Sequence, residues 1–189
     1  MMTRRGFTTL LGGVAAARPL AVRAQQPTIP VVGFLHSASP VSYGFESAAF
    51  RQGLKEAGFD EAIVLTQDGH VSEGSAENLF LVRDGTLITP PATDNILEGI
   101  TRDCVLKIAA DNGIRTATRQ VDRTELYIAD EVFLCGTGAQ ISPVTSIDHR
   151  AIGKGERGPI TAKVSQIYFD AVRGKVSQYR NWVTPVYKR

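Results

Sequence analysis

Two apolar runs, residues 78–82 and 86–89, are separated only by Arg83 and the pair Asp84-Gly85. Aspartate and glycine tolerate the positive φ of a tight two-residue turn, so this stretch is committed to an antiparallel hairpin. Its surroundings read as alternating short strands and helices. Residues 62–66 are strand-like, and Asp68-Gly69 makes a turn. Gly99-Ile100-Thr101 opens an amphipathic helix with Cys104, Val105, Ile108 and Ala109 on one face, closing at Asn112-Gly113. Residues 114–121 read as a strand, and Asp122 with Glu125 has the spacing of a capping box on a short helix running to Ala129. A buried strand over 132–135 runs into Gly136-Thr137-Gly138, which presents backbone donors and a hydroxyl where a small ligand can come close. Strand character resumes over 139–147, with a break expected at Pro143, and Gly158-Pro159 opens a last helix to Gly174. A polar tail containing Trp182 follows. The expected fold class is mixed α/β.

Composition narrows the function classes. Among 189 residues, 21 Lys+Arg face 19 Asp+Glu, a net charge of +2 that does not suit a dedicated nucleic-acid binder. Hydrophobic content of 43% with 21% charged residues excludes bulk disorder. Two cysteines, Cys104 and Cys135, and three separated histidines supply neither a disulfide framework nor a zinc site, so no metal is expected. Both cysteines lie in apolar contexts and read as core residues, and His70 reads as a surface turn residue.

The first residues follow another pattern. Arg4-Arg5 precedes an apolar run through Ala17, and Val22-Arg23-Ala24 resembles a cleavage site before Gln25-Gln26-Pro27. Residues 1–24 therefore read as a twin-arginine export signal, too short to span a bilayer. A strand over 31–35 and a helix over 45–57 come next. Residues 1–58 resemble the start of an ABC-transporter solute-binding protein, and that resemblance stops at Gly58.

Downstream, the strings Gly58-Phe59-Asp60-Glu61-Ala62, Ser72-Glu73-Gly74-Ser75-Ala76-Glu77-Asn78-Leu79-Phe80, Thr89-Pro90-Pro91 and Ile96-Leu97-Glu98-Gly99-Ile100-Thr101-Arg102-Asp103 stand in order. Tyr127-Ile128-Ala129-Asp130-Glu131-Val132-Phe133, Gly136-Thr137-Gly138-Ala139 and Gly158-Pro159-Ile160-Thr161 follow. Over residues 59–186 the chain resembles the class IV, fold-type IV pyridoxal-phosphate aminotransferases, and within them the branched-chain amino acid aminotransferases. The resemblance implies the larger, C-terminal domain of that fold over 59–189, a pyridoxal 5′-phosphate cofactor, amino-acid and 2-oxo-acid substrates, and a homo-oligomer. Residue by residue, it implies that Glu73 faces the cofactor's ring nitrogen and Leu97 the ring. Gly99, Ile100, Thr101, Gly136 and Thr137 are implied to hold the phosphate, and Thr137 with Gly138 the substrate carboxylate. Taken alone, Glu73 would more often be a solvated turn acid, Gly99 a turn and Thr101 a helix cap. Arg102, Asp103 and Asp130 match the pattern too, but surface positions or structural ion pairs explain them.

The resemblance also implies an imine-forming lysine some dozens of residues before Glu73, and none precedes Lys55. Lys55, Lys107 and Lys163 read as helix-surface residues, so no catalytic residue is assigned. The expectation is a fused or shortened chain, seamed near Ala57-Gly58-Phe59 and weakly active at best. Alternatives are an exported solute-binding fragment and an inactive fusion. The family implies the cytoplasm, a working signal the periplasm.

Overall fold

The computed structural model describes residues 44–186, and the signal-like segment 1–24 and the strand expected over 31–35 lie outside them. The described chain runs α1 (Gly44–Glu56), β1 (Ile63–Leu65), β2 (Val71–Gly74), β3 (Asn78–Arg83), β4 (Thr86–Thr89), α2 (Ile100–Asp111) and β5 (Arg115–Thr118). It continues through α3 (Arg123–Leu126), β6 (Glu131–Gly136), β7 (Gln140–Val144), β8 (Ser146–Ile147), β9 (Arg150–Ala151) and α4 (Pro159–Val172). Single 3-10 segments occupy Ala92–Asp94 and Ser177–Trp182.

A five-stranded sheet, ordered β5-β4-β3-β6-β7, forms the centre. The β3-β4 hairpin turns on Asp84 and Gly85, both with positive φ, as its sequence requires. From β4 the chain crosses over through α2 and returns as β5, parallel to β4. β3 is central and buried on both faces, which explains its unbroken apolar run. Leu79 and Leu81 face one core with Leu126, Val132 and Leu134. Phe80 and Val82 face the other, against Val105 and Ile108 of α2 and Val164 and Ala171 of α4. Each such fully buried apolar side chain contributes roughly 1.5–3 kcal/mol relative to exposure.

Helix α1 ends where Gly58 takes a φ of 80°, and Phe59 N–H returns to the Leu54 carbonyl at 2.8 Å. Leu54 is buried, and Phe50 and Phe59 pack against the first core, so α1 docks on the sheet domain that follows it.

Three local expectations shift. Pro143 does not break β7: it lies within that strand, opposite Phe133, and the break comes at Thr145. β7 is an edge strand, where a proline can stand without depriving a neighbour of a bond. The tail beyond Lys175 is not simply polar. Tyr179 is 1% exposed, stacks on Trp182 at 4.3 Å and joins the second core. His70 is half-buried, its ring nitrogens 3.3 Å from Asp68 and 3.5 Å from Asp122.

Candidate functional site

The site forms at one end of the central sheet. Asn78 begins β3 and pairs with Cys135 near the end of β6, so the start of one strand and the close of the other share an edge. Three segments meet there: the end of β2 with Glu73, the N-terminus of α2, and the β6-β7 turn with Thr137.

Glu73 ends up half-buried, not solvated. Its Oε2 accepts from the Leu97 backbone N–H at 2.9 Å and from Asn78 Nδ2 at 3.0 Å. Burial raises its pKa above the ordinary glutamate value, and the Leu97 N–H opposes that only in part. Glu77, also half-buried, is pushed the same way by burial and then by the charges of Glu61 and Glu73.

Gly99 is the N-cap of α2 and offers no capping side chain, so the first-turn N–H groups find no acceptor within the helix. Its φ of −70° suits any residue, yet a Cβ there would lie 2.2 Å from Asn78 Oδ1. Glycine is required by close approach rather than by backbone conformation. Thr101 is buried behind this terminus, while Ile100 is 85% and Leu97 72% exposed. Such exposure of two large apolar side chains beside a half-buried carboxylate leaves a surface ready to be covered.

Gly136 closes β6 against the β2-β3 turn, and a Cβ on it would meet Ala76 O at 3.4 Å and Glu77 Cγ at 3.5 Å. Thr137 and Gly138 are exposed in the turn that follows. The sheet edge thus brings Glu73, Leu97, Gly99, Gly136 and Thr137 around the Glu77-Asn78 pair, joined by direct contacts except at Thr137, which is placed by chain continuity. Beyond Glu73 lies a cleft of about 560 Å³, lined also by Thr66, Ser72, Asp94, Asn95 and Gln120. Gly99 to Thr101 and Thr137 do not line it.

Arg102 departs from its sequence expectation. It is buried, its guanidinium donating to the Pro90 carbonyl at 3.1 Å and Nε to Thr89 Oγ1 at 3.4 Å, which fastens α2 to the end of β4. Asp130 Oδ2 accepts from the Asp84 N–H of the hairpin turn at 2.9 Å. Cys135 is buried with its thiol pushed up to about 12, and burial raises the half-buried Cys104 as well, so neither is an activated nucleophile. Among the described residues, no group of three His, Cys, Asp or Glu side chains is placed to hold a metal ion, and no helix is long and apolar enough to cross a membrane. Sequence reasoning assigned Asn78 no role. Its signal was a polar residue opening an otherwise apolar strand.

A mixed α/β domain presenting a carboxylate, a bare helix N-terminus and a Gly-Thr-Gly turn on one sheet edge is the class of protein defined so far. The family described as amino-transferase class IV matches residues 16–147. A probable branched-chain-amino-acid aminotransferase of Aquifex aeolicus is 49% identical over 134 residues, covering 70% of this chain and 43% of that protein. The branched-chain-amino-acid aminotransferase of Pseudomonas aeruginosa is 45% identical over 136 residues, 70% of this chain and 44% of that one. Among solved structures, the branched-chain aminotransferase of the thermophilic archaeon Thermoproteus uzoniensis with norvaline superposes with a TM-score of 0.75 at 40% identity, over 86% of this chain and 57% of that one. The Thermobaculum terrenum branched-chain amino acid aminotransferase in its PLP-form gives 0.70 at 46% identity, over 73% of this chain and 45% of that one. The chain belongs to the class IV aminotransferase family and has that family's mixed α/β fold. It spans somewhat under half the length of these curated relatives.

Proposed function

We propose that this chain carries the cofactor cradle of a branched-chain amino acid aminotransferase, whose reaction moves an amino group reversibly between leucine, isoleucine or valine and 2-oxoglutarate. The observation that carries this reading is the junction in which Glu73, held by Leu97 N–H and by Asn78, stands beside the uncapped start of α2. The chemistry of this donor set fits pyridoxal 5′-phosphate: one carboxylate for a ring nitrogen, unpaired backbone N–H groups for a phosphate, and an exposed leucine for a ring face. When bound, the cofactor supplies an electron-accepting ring for the pair left as a bond to the amino acid's α-carbon breaks.

Glu73 holds the proton on the ring nitrogen, which keeps the ring electron-poor. Ile100 and Thr101 bind the phosphate through their N–H groups and the Thr101 hydroxyl, with Gly99, whose own N–H is held by the Leu97 carbonyl, leaving room for close approach, joined by Gly136 and Thr137 from the opposite turn. Leu97 excludes water from one ring face. Thr137 and Gly138 receive the α-carboxylate of the substrate.

No lysine precedes Lys55 in the sequence. Lys55 is exposed in the last turn of α1, Lys107 donates to Asp111 at 3.2 Å and Lys163 to the Asn112 carbonyl at 3.3 Å. The chain by itself is therefore expected to bind the cofactor without a covalent bond and to turn over little or nothing. The test is titration with pyridoxamine 5′-phosphate, which needs no lysine, followed by fluorescence. Saturable binding that weakens in E73Q and in T101V supports the reading, and absence of binding by the unaltered chain overturns it. A borohydride-trapped lysine adduct with pyridoxal phosphate, together with turnover of leucine and 2-oxoglutarate, would overturn the lysine-free part alone.

The same proposal divides the chain at Gly58, with residues 59–189 as the aminotransferase part, and pairs it with a second copy, which light scattering checks. A chain beginning at Met1 in the mature protein would assign it to the cytoplasm; cleavage after Ala24 would assign export.

A further inference from the structure

We propose that Asn78 is a positioning residue that locks the Glu73 carboxylate to the N-terminus of α2, so that the ring-facing acid and the phosphate-facing helix turn keep one fixed relation. The inference deepens the cofactor reading above and rests on it.

Three contacts of one side-chain amide carry it. Asn78 Nδ2 donates to Glu73 Oε2 at 3.0 Å and to the Leu97 carbonyl at 2.7 Å. On its other side Oδ1 lies so close to Gly99 that a Cβ there would be 2.2 Å away. Leu97 closes the ring of contacts, because its own N–H donates to the same Glu73 oxygen at 2.9 Å and its carbonyl also accepts from Gly99 N–H at 2.9 Å. Asn78 is 5% exposed and is fixed by β3, whose pairing with β6 starts at this residue. A strand end within the sheet therefore holds the 91–99 connection and the end of β2, which carries Glu73, by a single amide.

The electrostatic setting makes the donor consequential. Glu77 lies near Glu73 and carries like charge, and Asp68 and Asp94 line the same cleft. Burial disfavours the charged form of Glu73 and the Leu97 N–H opposes it, while the Asn78 amide, on the same Oε2 at 3.0 Å, fixes the carboxylate's orientation. Asparagine is suited to the position because its amide offers donor and acceptor at once. Aspartate would present an oxygen to the Glu73 carboxylate, and leucine would leave the Leu97 carbonyl without this donor.

The test uses pyridoxamine 5′-phosphate isotopically labelled at its ring nitrogen, bound to the full chain and to N78A and N78S, with the ring-nitrogen resonance followed against pH and the phosphorus resonance recorded in parallel. In the unaltered chain the ring nitrogen should keep its proton to higher pH than in free cofactor. In both variants its midpoint should fall back toward the free value, with affinity down by about tenfold, the size of one hydrogen bond to a charged group. A variant with weakened binding and an unmoved midpoint would reduce Asn78 to a structural residue and overturn the proposal. Should both variants fail to fold, the unaltered chain still decides. Its Asn78 side-chain amide protons must shift with the titration of the Glu73 carboxyl, and must lose that shift in E73Q; a flat Asn78 signal overturns the lock. Failure of the unaltered chain to bind the cofactor at all is a different result: it overturns the cofactor reading, and this assignment with it.

Discussion

At the scale of single residues, the role proposed for Glu73 is set against stability. Burial raises its folded-state pKa above the value in the unfolded chain. The folded state therefore holds the proton more tightly, and stability falls as pH rises through the interval between the two values. Glu73→Gln keeps a carbonyl oxygen for the Leu97 and Asn78 donors and removes the charge. Without cofactor, E73Q should be at least as stable as the parent at neutral pH and less dependent on pH just above the usual carboxylate range. Urea unfolding at several pH values measures this, and a markedly less stable E73Q would mean that the carboxylate's hydrogen bonds outweigh its desolvation. At this scale the string from Ser72 to Phe80 singled out Glu73, but not that its carboxylate would be half-buried and held by Leu97. The task of Asn78 was not, since a sequence shows a polar residue opening a strand but not where its amide points.

Among the elements, α4 is capped from outside its own segment. Glu131, buried on β6, accepts from Ile160 N–H at 2.9 Å and Thr161 N–H at 2.7 Å, satisfying donors that Gly158 cannot cap. Gly158 is glycine because a Cβ would lie 2.1 Å from Glu131 Cδ. Glu131→Ala strands two N–H groups and should cost about 1–3 kcal/mol, read as a lowered urea midpoint with little change in slope. An unchanged midpoint would mean that water caps the helix equally well. Gly158-Pro159 announced the helix start in sequence, and Asp84-Gly85 announced the hairpin. The capping carboxylate, which stands 29 residues upstream of Ile160, could not be announced because local pattern does not extend across that separation.

For the molecule as a whole, the second core closes only when the segment after α4 folds back. Tyr179 and Trp182 stack there, and the Tyr179 hydroxyl donates to Asp111 Oδ2 at the end of α2 at 3.0 Å. Burial first, and that bond second, push its pKa up to about 12. Tyr179→Ala should cost on the order of 3 kcal/mol, by analogy with other aromatic truncations in cores. Calorimetry should show a single lowered transition, because both cores share the same sheet; two separate transitions would contradict that coupling. The tail's polarity in sequence concealed this role, since Tyr179 and Trp182 among mostly polar neighbours carry no helical or strand period.

Local chemistry in the chain determined the alternation of elements, the hairpin, the helix boundaries at Gly99 and Gly158, and the family motifs. Each depends on backbone preference or on residues a few positions apart. Tertiary structure alone decided that Asn78 joins Glu73 to Leu97, that Arg102 turns inward to Pro90, and that Tyr179 closes a core. These are satisfactions of buried polar groups and apolar faces by distant partners. Their free energy exists only once the sheet has brought those partners within reach.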